Sequence, residues 1–297
     1  MIKGDGLAGT FDLNQSKPIE FNPFYLCPML TVISPGQPFP NTFPKGAVFL
    51  IDKPLAWTSF GVVNKVRYLL ARKTGNKKIK VGHAGTLDPL ATGLLILCVG
   101  DYTKRIETFQ SMPKTYQGTI TFGATTPSFD LEKAPDTPFP TAHLTKAILE
   151  TARQQFLGDI LQVPPIYSAV KVDGRRLYKN ARTGQEVEMP YRPVHVSSFE
   201  LLGDLRPVQQ NNEGVKVASK KGSDILLHPD YPAGLQIDFQ VLCSKGTYIR
   251  SLANDLGQAA GTGAYLSSLS RTAIGDYTLE SAWGIEAFEA WVGLPQL

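Results

Sequence analysis

Cysteine is scarce in this 297-residue chain. Cys27, Cys98 and Cys243 are the only three, far apart and without a CxxC pair. An odd set of scattered thiols excludes a disulfide framework and a zinc site, and points to reduced thiols in a cytoplasmic protein. The four histidines have no ligand spacing, and neither HExxH, a P-loop nor a dinucleotide fingerprint is present. No metal and no organic cofactor is expected. No stretch reaches the roughly 18 apolar residues of a membrane helix. Pro23 and Pro28 break the one apolar stretch near the start, between Phe21 and Ile33, so no secretory leader is expected there. A net charge of +4 says little in total, although its distribution says more.

What is present is organised in three parts. Residues 1–45 hold seven prolines without a sustained period, which suits an extended arm. Residues 46–275 alternate strand and helix patterns, with a polar insertion at about 207–233. Residues 276–297, with Trp283 and Trp291, form a short tail. Within the body, strands are expected over 47–51, 94–99, 114–122, 159–163, 167–172, 193–201 and 235–243. Helices are expected over 103–110, 175–183 and 247–259. Another starts at Thr58 or Ser59 and buries Val62, Val63, Val66, Leu69 and Leu70. A further one carries Leu144, Ile148, Ala152 and Phe156 on one face. Hairpins join strands as often as helices do, so the class is α+β with a mixed, mostly antiparallel central sheet and flanking helices.

Basic residues cluster. Between Gly61 and Lys80 stand Lys65, Arg67, Arg72, Lys73, Lys77, Lys78 and Lys80, with no acid among them. A second cluster, Lys171, Arg175, Arg176, Lys179 and Arg182, is interleaved with Tyr167 and Tyr178. Cations that bind phosphates beside rings that stack bases suit folded or single-stranded RNA. Between the two clusters, and just beyond Lys80, lies Gly-His-Ala-Gly-Thr-Leu-Asp-Pro-Leu-Ala-Thr-Gly, residues 82–93. As a dipeptide, Asp88-Pro89 is an ordinary turn. In this setting, glycine turns hold a single carboxylate ahead of a buried strand.

The whole pattern resembles the catalytic loop of the tRNA uridine-55 pseudouridine synthases. Four other segments are similar to motifs of that family, in the same order: Val48-Phe-Leu-Ile-Asp-Lys-Pro, Lys114-Thr-Tyr-Gln-Gly, Gln162 to Tyr178, and Cys243 to Gly257. Leu269-Ser-Arg-Thr-Ala-Ile-Gly matches the last one. The resemblance spans about 46–275. It implies the pseudouridine synthase fold with an RNA-binding cleft, and isomerisation of the T-loop uridine (position 55) of tRNA to pseudouridine.

By the same resemblance Asp88 is the nucleophile and Arg250 the active-site arginine that pairs with it. Tyr116 stacks on the uracil near C5, while Tyr248 and Leu269 complete the pocket. His83 enters the RNA loop, and Lys53 supports the catalytic loop or a phosphate. Lys77, Lys78 and Lys80 are read as contacts to the tRNA T-arm. No guide RNA and no membrane is expected as partner, and a monomer is expected. Too few residues follow Asp276 for the C-terminal RNA-binding domain of many relatives. The proline-rich arm and the 207–233 insertion also depart from the family pattern, and the residues alone assign no role to either.

Overall fold

The computed structural model describes residues 31–40, 43, 45–165, 171–172, 175–176, 191–208, 215–217 and 225–293. The expectations for residues 1–30, and the side chains of the 167–182 cluster and of Lys216, Lys220 and Lys221, lie outside them.

The described residues are built around one nine-stranded sheet. Its strands are β1 (Ala47–Lys53), β2 (Val81–His83), β3 (Ala91–Val99), β4 (Lys114–Phe122), β5 (Gly158–Gln162), β6 (Arg192–Pro207), β7 (Leu235–Cys243), β8 (Ala264–Ile274) and β9 (Tyr277–Thr278). The order is β1-β3-β8-β4-β7-β6-β5, with β2 paired to β3 and β9 to β8. Every pairing is antiparallel except β3 with β8, where Leu269 faces Ala91 and Arg271 faces Gly93. The mixed, mostly antiparallel sheet expected from the sequence is present. β1 and β3 are covered on both faces, which is why they read as unbroken apolar runs.

Five α-helices flank the sheet among the described residues: α1 (Ser59–Thr74), α2 (Ile106–Ser111), α3 (Lys146–Arg153), α4 (Ile249–Ala259) and α5 (Ile285–Val292). The Thr58 hydroxyl accepts the Gly61 N–H at the start of α1, and Gly75 ends it at φ +71°. Its buried face is the one read from the sequence. α3 and α4 pack on β4, β6, β7 and β8 around Phe122, Phe199, Phe239 and Leu252. α1 and α5 pack on β1 and β3.

Several expectations are corrected. β8, at the centre of the sheet, was not expected as a strand. Its Ser267, Ser268, Ser270 and Thr272 break the apolar pattern, and shifts in its register with β4 spoil strict alternation. α3 buries Leu149 and not Ile148, which is 37% exposed. An every-fourth-residue pattern turns about 40° per step, so Leu144, Ile148, Ala152 and Phe156 cannot share one narrow face. The helix expected at 103–110 is a 3-10 turn over Gly100–Arg105 followed by α2. At 175–176, where a helix was expected to begin, Arg175–Arg176 pairs with Lys171–Val172 as an antiparallel ribbon. The sequence between them, Asp173-Gly174, is a two-residue hairpin signal.

The two ends of the described chain meet on β1. The Val48 amide donates to the carbonyl of Thr31, and the Trp283 indole donates to the carbonyl of Ile33. Phe39, Phe43, Phe49, Phe288 and Trp291 form an aromatic cluster, mostly edge-on or tilted. Lys73 lies over Phe39, and Lys65 pairs with Glu289. Two members of the first basic cluster therefore tie α1 to the chain ends. Arg67 and Arg72 instead lie over Phe60 and Tyr68 of their own helix.

Candidate active site

The sequence places Asp88 in the turn between β2 and β3, beside the only parallel pairing of the sheet. Gly85 turns the chain at φ +112°, a conformation that L side chains rarely adopt. The turn is fastened from three sides. Ser59, at the start of α1, accepts the Leu87 N–H at 2.8 Å and donates to the Leu87 carbonyl at 3.0 Å. Arg271 of β8 donates to the Gly85 carbonyl at 3.1 Å. Lys53 donates to the carbonyls of Pro54, Trp57 and Pro89. Lys53 is fully buried, and burial pulls its ammonium down to about 8 against the attraction of Asp88. It supports the loop from beneath, the first of the two readings given above, and its side chain has no exposed surface.

Strand register collects the other groups. Arg271 faces Tyr116, and Leu269 faces both Ala91 and Gly118. The next contribution comes from α4. Tyr248 precedes its first turn, its backbone held at N–H and carbonyl by the side-chain amide of buried Gln162. Arg250 then projects from the first turn, 4% exposed, with its Nε 3.0 Å from Oδ2 of Asp88. Its Nη1 is 3.5 Å from Oδ2 of Asp130 and donates to the Ser128 carbonyl. Burial alone would lower the guanidinium, but Asp88 and Asp130, followed by Glu132 and Tyr248, more than offset it and hold it charged.

These groups line a cavity of about 620 Å³. Asp88, Tyr116, Tyr248, Arg250 and Leu269 all face it, so five residues far apart in sequence are brought together as expected. Among the described residues Asp88 is the only acid in the lining, against Lys114, Arg192, Lys245, Arg250 and Arg271. His83 is half-buried in β2 and is not part of the lining; burial and then Arg271 lower its imidazole. Lys77, Lys78 and Lys80 are exposed between α1 and β2, also outside the cavity.

Four residues escaped sequence reasoning. Asp130 follows Phe129, a non-glycine residue at φ +59°, so about 1–2 kcal/mol of backbone strain presents the carboxylate to Arg250. Burial pushes Asp130 up to about 6, with Arg250 and Ser128 pulling the other way. Its signal was a lone acid in the Thr-Thr-Pro-Ser-Phe-Asp segment after β4. Arg271, Lys114 and Gln162 stood inside recognised motifs, but nothing in their spacing marked them. Lys114 donates to the carbonyls of Gln110 and Met112 at the end of α2, and burial, then Arg271, lower it to about 8. Among the described residues no cluster of three His, Cys, Asp or Glu could hold a metal, and no helix is long and apolar enough to cross a membrane.

The profile described as TruB family pseudouridylate synthase (N terminal domain) matches residues 72–249. The chain is 48% identical over 250 residues to tRNA pseudouridine synthase B of Phocaeicola vulgatus, covering 84% of this chain and 94% of that protein. The tRNA pseudouridine synthase B of Chloroherpeton thalassium is 40% identical over 240 residues, covering 80% and 87%. Among solved structures, a Cbf5-Nop10-Gar1 complex shares the fold at a TM-score of 0.52 and 23% identity, over 82% of this chain. This chain spans about half (53%) of that one. Profile, identity and fold agree: the chain belongs to the TruB family of pseudouridylate synthases.

Proposed function

We propose that this protein isomerises the T-loop uridine (position 55) of tRNA to pseudouridine, with Asp88 as the nucleophile. The observation that carries the reading is a cavity with one carboxylate, aimed by a buried arginine and flanked by Tyr116, Tyr248 and Leu269. The names of the relatives support tRNA as substrate.

The reaction breaks the bond between N1 and C1′, turns the uracil, and joins C5 to C1′. N1 gains a proton and C5 loses one. The uridine must first leave the RNA stack, at a cost of a few kcal/mol. In the cavity Asp88 opens the reaction, and Arg250, 3.0 Å away, orients that carboxylate. Tyr116 stacks on the uracil with its hydroxyl near C5, while Tyr248 and Leu269 hold the detached base and exclude water. A single carboxylate suits a reaction that keeps its base, unlike the acid and base pair of a glycoside hydrolase. The catalytic domain is residues 46–275. His83 holds the opened loop, and Lys77, Lys78 and Lys80 meet phosphates of the T-arm. The protein works as a cytoplasmic monomer with neither guide RNA nor cofactor.

The test is tritium release from an unmodified tRNA transcript labelled at C5 of uridine. Release from the T-loop position by the wild type, and none by Asp88→Asn with tRNA binding retained, is the expected result. Release by Asp88→Asn at a comparable rate would remove Asp88 from its role. Tight tRNA binding without release by the wild type would leave an RNA-binding protein in place of an enzyme.

A further inference from the structure

Arg271 is the largest fully buried side chain among the described residues, 1% exposed, and no carboxylate lies within 4 Å of it there. Its neighbours in charge are Lys53, His83 and Lys114; burial lowers all three, and its field adds to the lowering. A buried guanidinium among cations is costly, and apolar residues of like volume pack at least as well. Its hydrogen bonds show where it acts. Nε donates to the Leu94 carbonyl of β3 at 2.8 Å, and Nη2 to the Gly85 carbonyl of the catalytic turn. Tyr116 stands directly opposite Arg271 in the β4–β8 register, and both residues line the cavity.

The backbone is adjusted to this position. Gly93, at φ +99°, lies so close to residue 271 that a Cβ there would be 2.4 Å from the Arg271 carbonyl oxygen. A Cβ on Gly85 would lie 3.6 Å from Nη1. Two glycines thus flank one arginine, and the arginine joins β3, the catalytic turn and β4.

We propose that Arg271 is a positioning residue for the reaction, donating from its cross-strand position to the hydroxyl of Tyr116 and so fixing it relative to the turn that carries Asp88. Arginine has donors and no acceptor, so the phenol oxygen accepts from it. The phenol's own proton is then directed away from the guanidinium, and one face of the oxygen is held toward the uracil. Gly85 and Tyr116 bonded to one rigid fork keep nucleophile and tyrosine in register. A lysine, a point charge on a flexible stem, cannot hold all three acceptors in that geometry. The inference rests on the role given to Tyr116 above.

The experiment is a double-mutant cycle of Arg271→Lys and Tyr116→Phe in the full chain. It reads the single-turnover rate of pseudouridine formation, the Kd for tRNA and the melting temperature. Arg271→Lys is expected to slow the single turnover by about tenfold or more, with Kd within about twofold. In the Tyr116→Phe background the same change should cost less than about threefold, because the group it acts through is gone. Effects that multiply independently in the two backgrounds, or a loss confined to Kd, would overturn the inference. Full activity of Tyr116→Phe alone would instead overturn the tyrosine's role, so the two failures are distinguishable.

Should Arg271→Lys fail to fold, 3-fluorotyrosine at position 116 tests the same contact in an otherwise native chain. Its more acidic hydroxyl faces Arg271, Asp88 and Cys243, with Lys114 and Arg250 also in the cavity wall. A displaced pH profile of the single-turnover rate is expected, and an unchanged profile would overturn the inference.

Discussion

The guanidinium of Arg250 and the carboxylate of Asp130 are buried together, 3.5 Å apart, and Asp88 meets the same guanidinium from the cavity side at 3.0 Å. One cation thus serves two anions, only one of which can touch substrate. Asp130 has its folded value raised to about 6 by burial. Below that value it is protonated, Arg250 loses its second counter-charge, and its hold on Asp88 changes. The single-turnover rate is expected to fall as pH drops through about 6, and Asp130→Asn should remove that limb while lowering the plateau. The sign for stability is opposite. A carboxyl raised from 3.8 to about 6 binds its proton more tightly when folded. Its contribution is therefore full below the unfolded value and lost as pH rises through the folded one. A pH–rate profile of the two proteins beside their melting curves checks both.

Lys53 offers a sharper separation of support from RNA contact. Its ammonium is buried against three carbonyls, one of them that of Pro89, next to the nucleophile. Lys53→Met leaves those acceptors without their donor, at about 1–3 kcal/mol for an unsatisfied buried group. The expected result is a lowered melting temperature and a slower single turnover, with Kd for tRNA and its salt slope unchanged. A shallower salt slope would restore the phosphate contact that the buried position excludes.

How much of this was legible in sequence follows from what the signals measure. Asp88, Tyr116, Arg250 and Leu269 stand in segments whose residue pattern is distinctive, and all four meet in the cavity. β1, β4 and β7 were legible because their apolar or alternating runs are regular. β8 was not, because Ser267, Ser268, Ser270 and Thr272 interrupt its apolar residues and it carries two register shifts with β4. Asp130 was not legible either, since its meeting with Arg250 depends on a left-handed Phe129. Arg271 lay inside a recognised motif, yet only the β3-β8 register shows that it faces Tyr116 and the catalytic turn.

The aromatic cluster that joins Phe39 and Phe43 to Trp283, Phe288 and Trp291 should matter for stability alone. Trp291 stacks on Phe39, Phe49, Trp283 and Phe288, and its indole N–H donates to the Gln37 carbonyl. It lines none of the cavity about Asp88. Trp291→Ala is expected to cost about 2–4 kcal/mol in urea unfolding, while the folded fraction keeps the wild-type single-turnover rate. A slowed rate in fully folded protein would mean that this end of the sheet reaches the active site.

The exposed lysines between α1 and β2 make the last prediction. Among the described residues no ion pair holds Lys77, Lys78 or Lys80, whereas Lys65 is held by Glu289 and Lys73 lies over Phe39. Only the first three are free to meet phosphates. Each phosphate neutralised releases counterions, so log K falls with log salt by about 0.7–0.9 per contact. Replacing all three lysines by glutamine should weaken tRNA binding and flatten the slope by up to about 2–3, with the rate at saturating tRNA unchanged. The same change at Lys65 and Lys73 should leave the slope as it is and lower the melting temperature instead. A slope that responds to Lys65 and Lys73, and not to the loop, would move the RNA contact to the other face of α1.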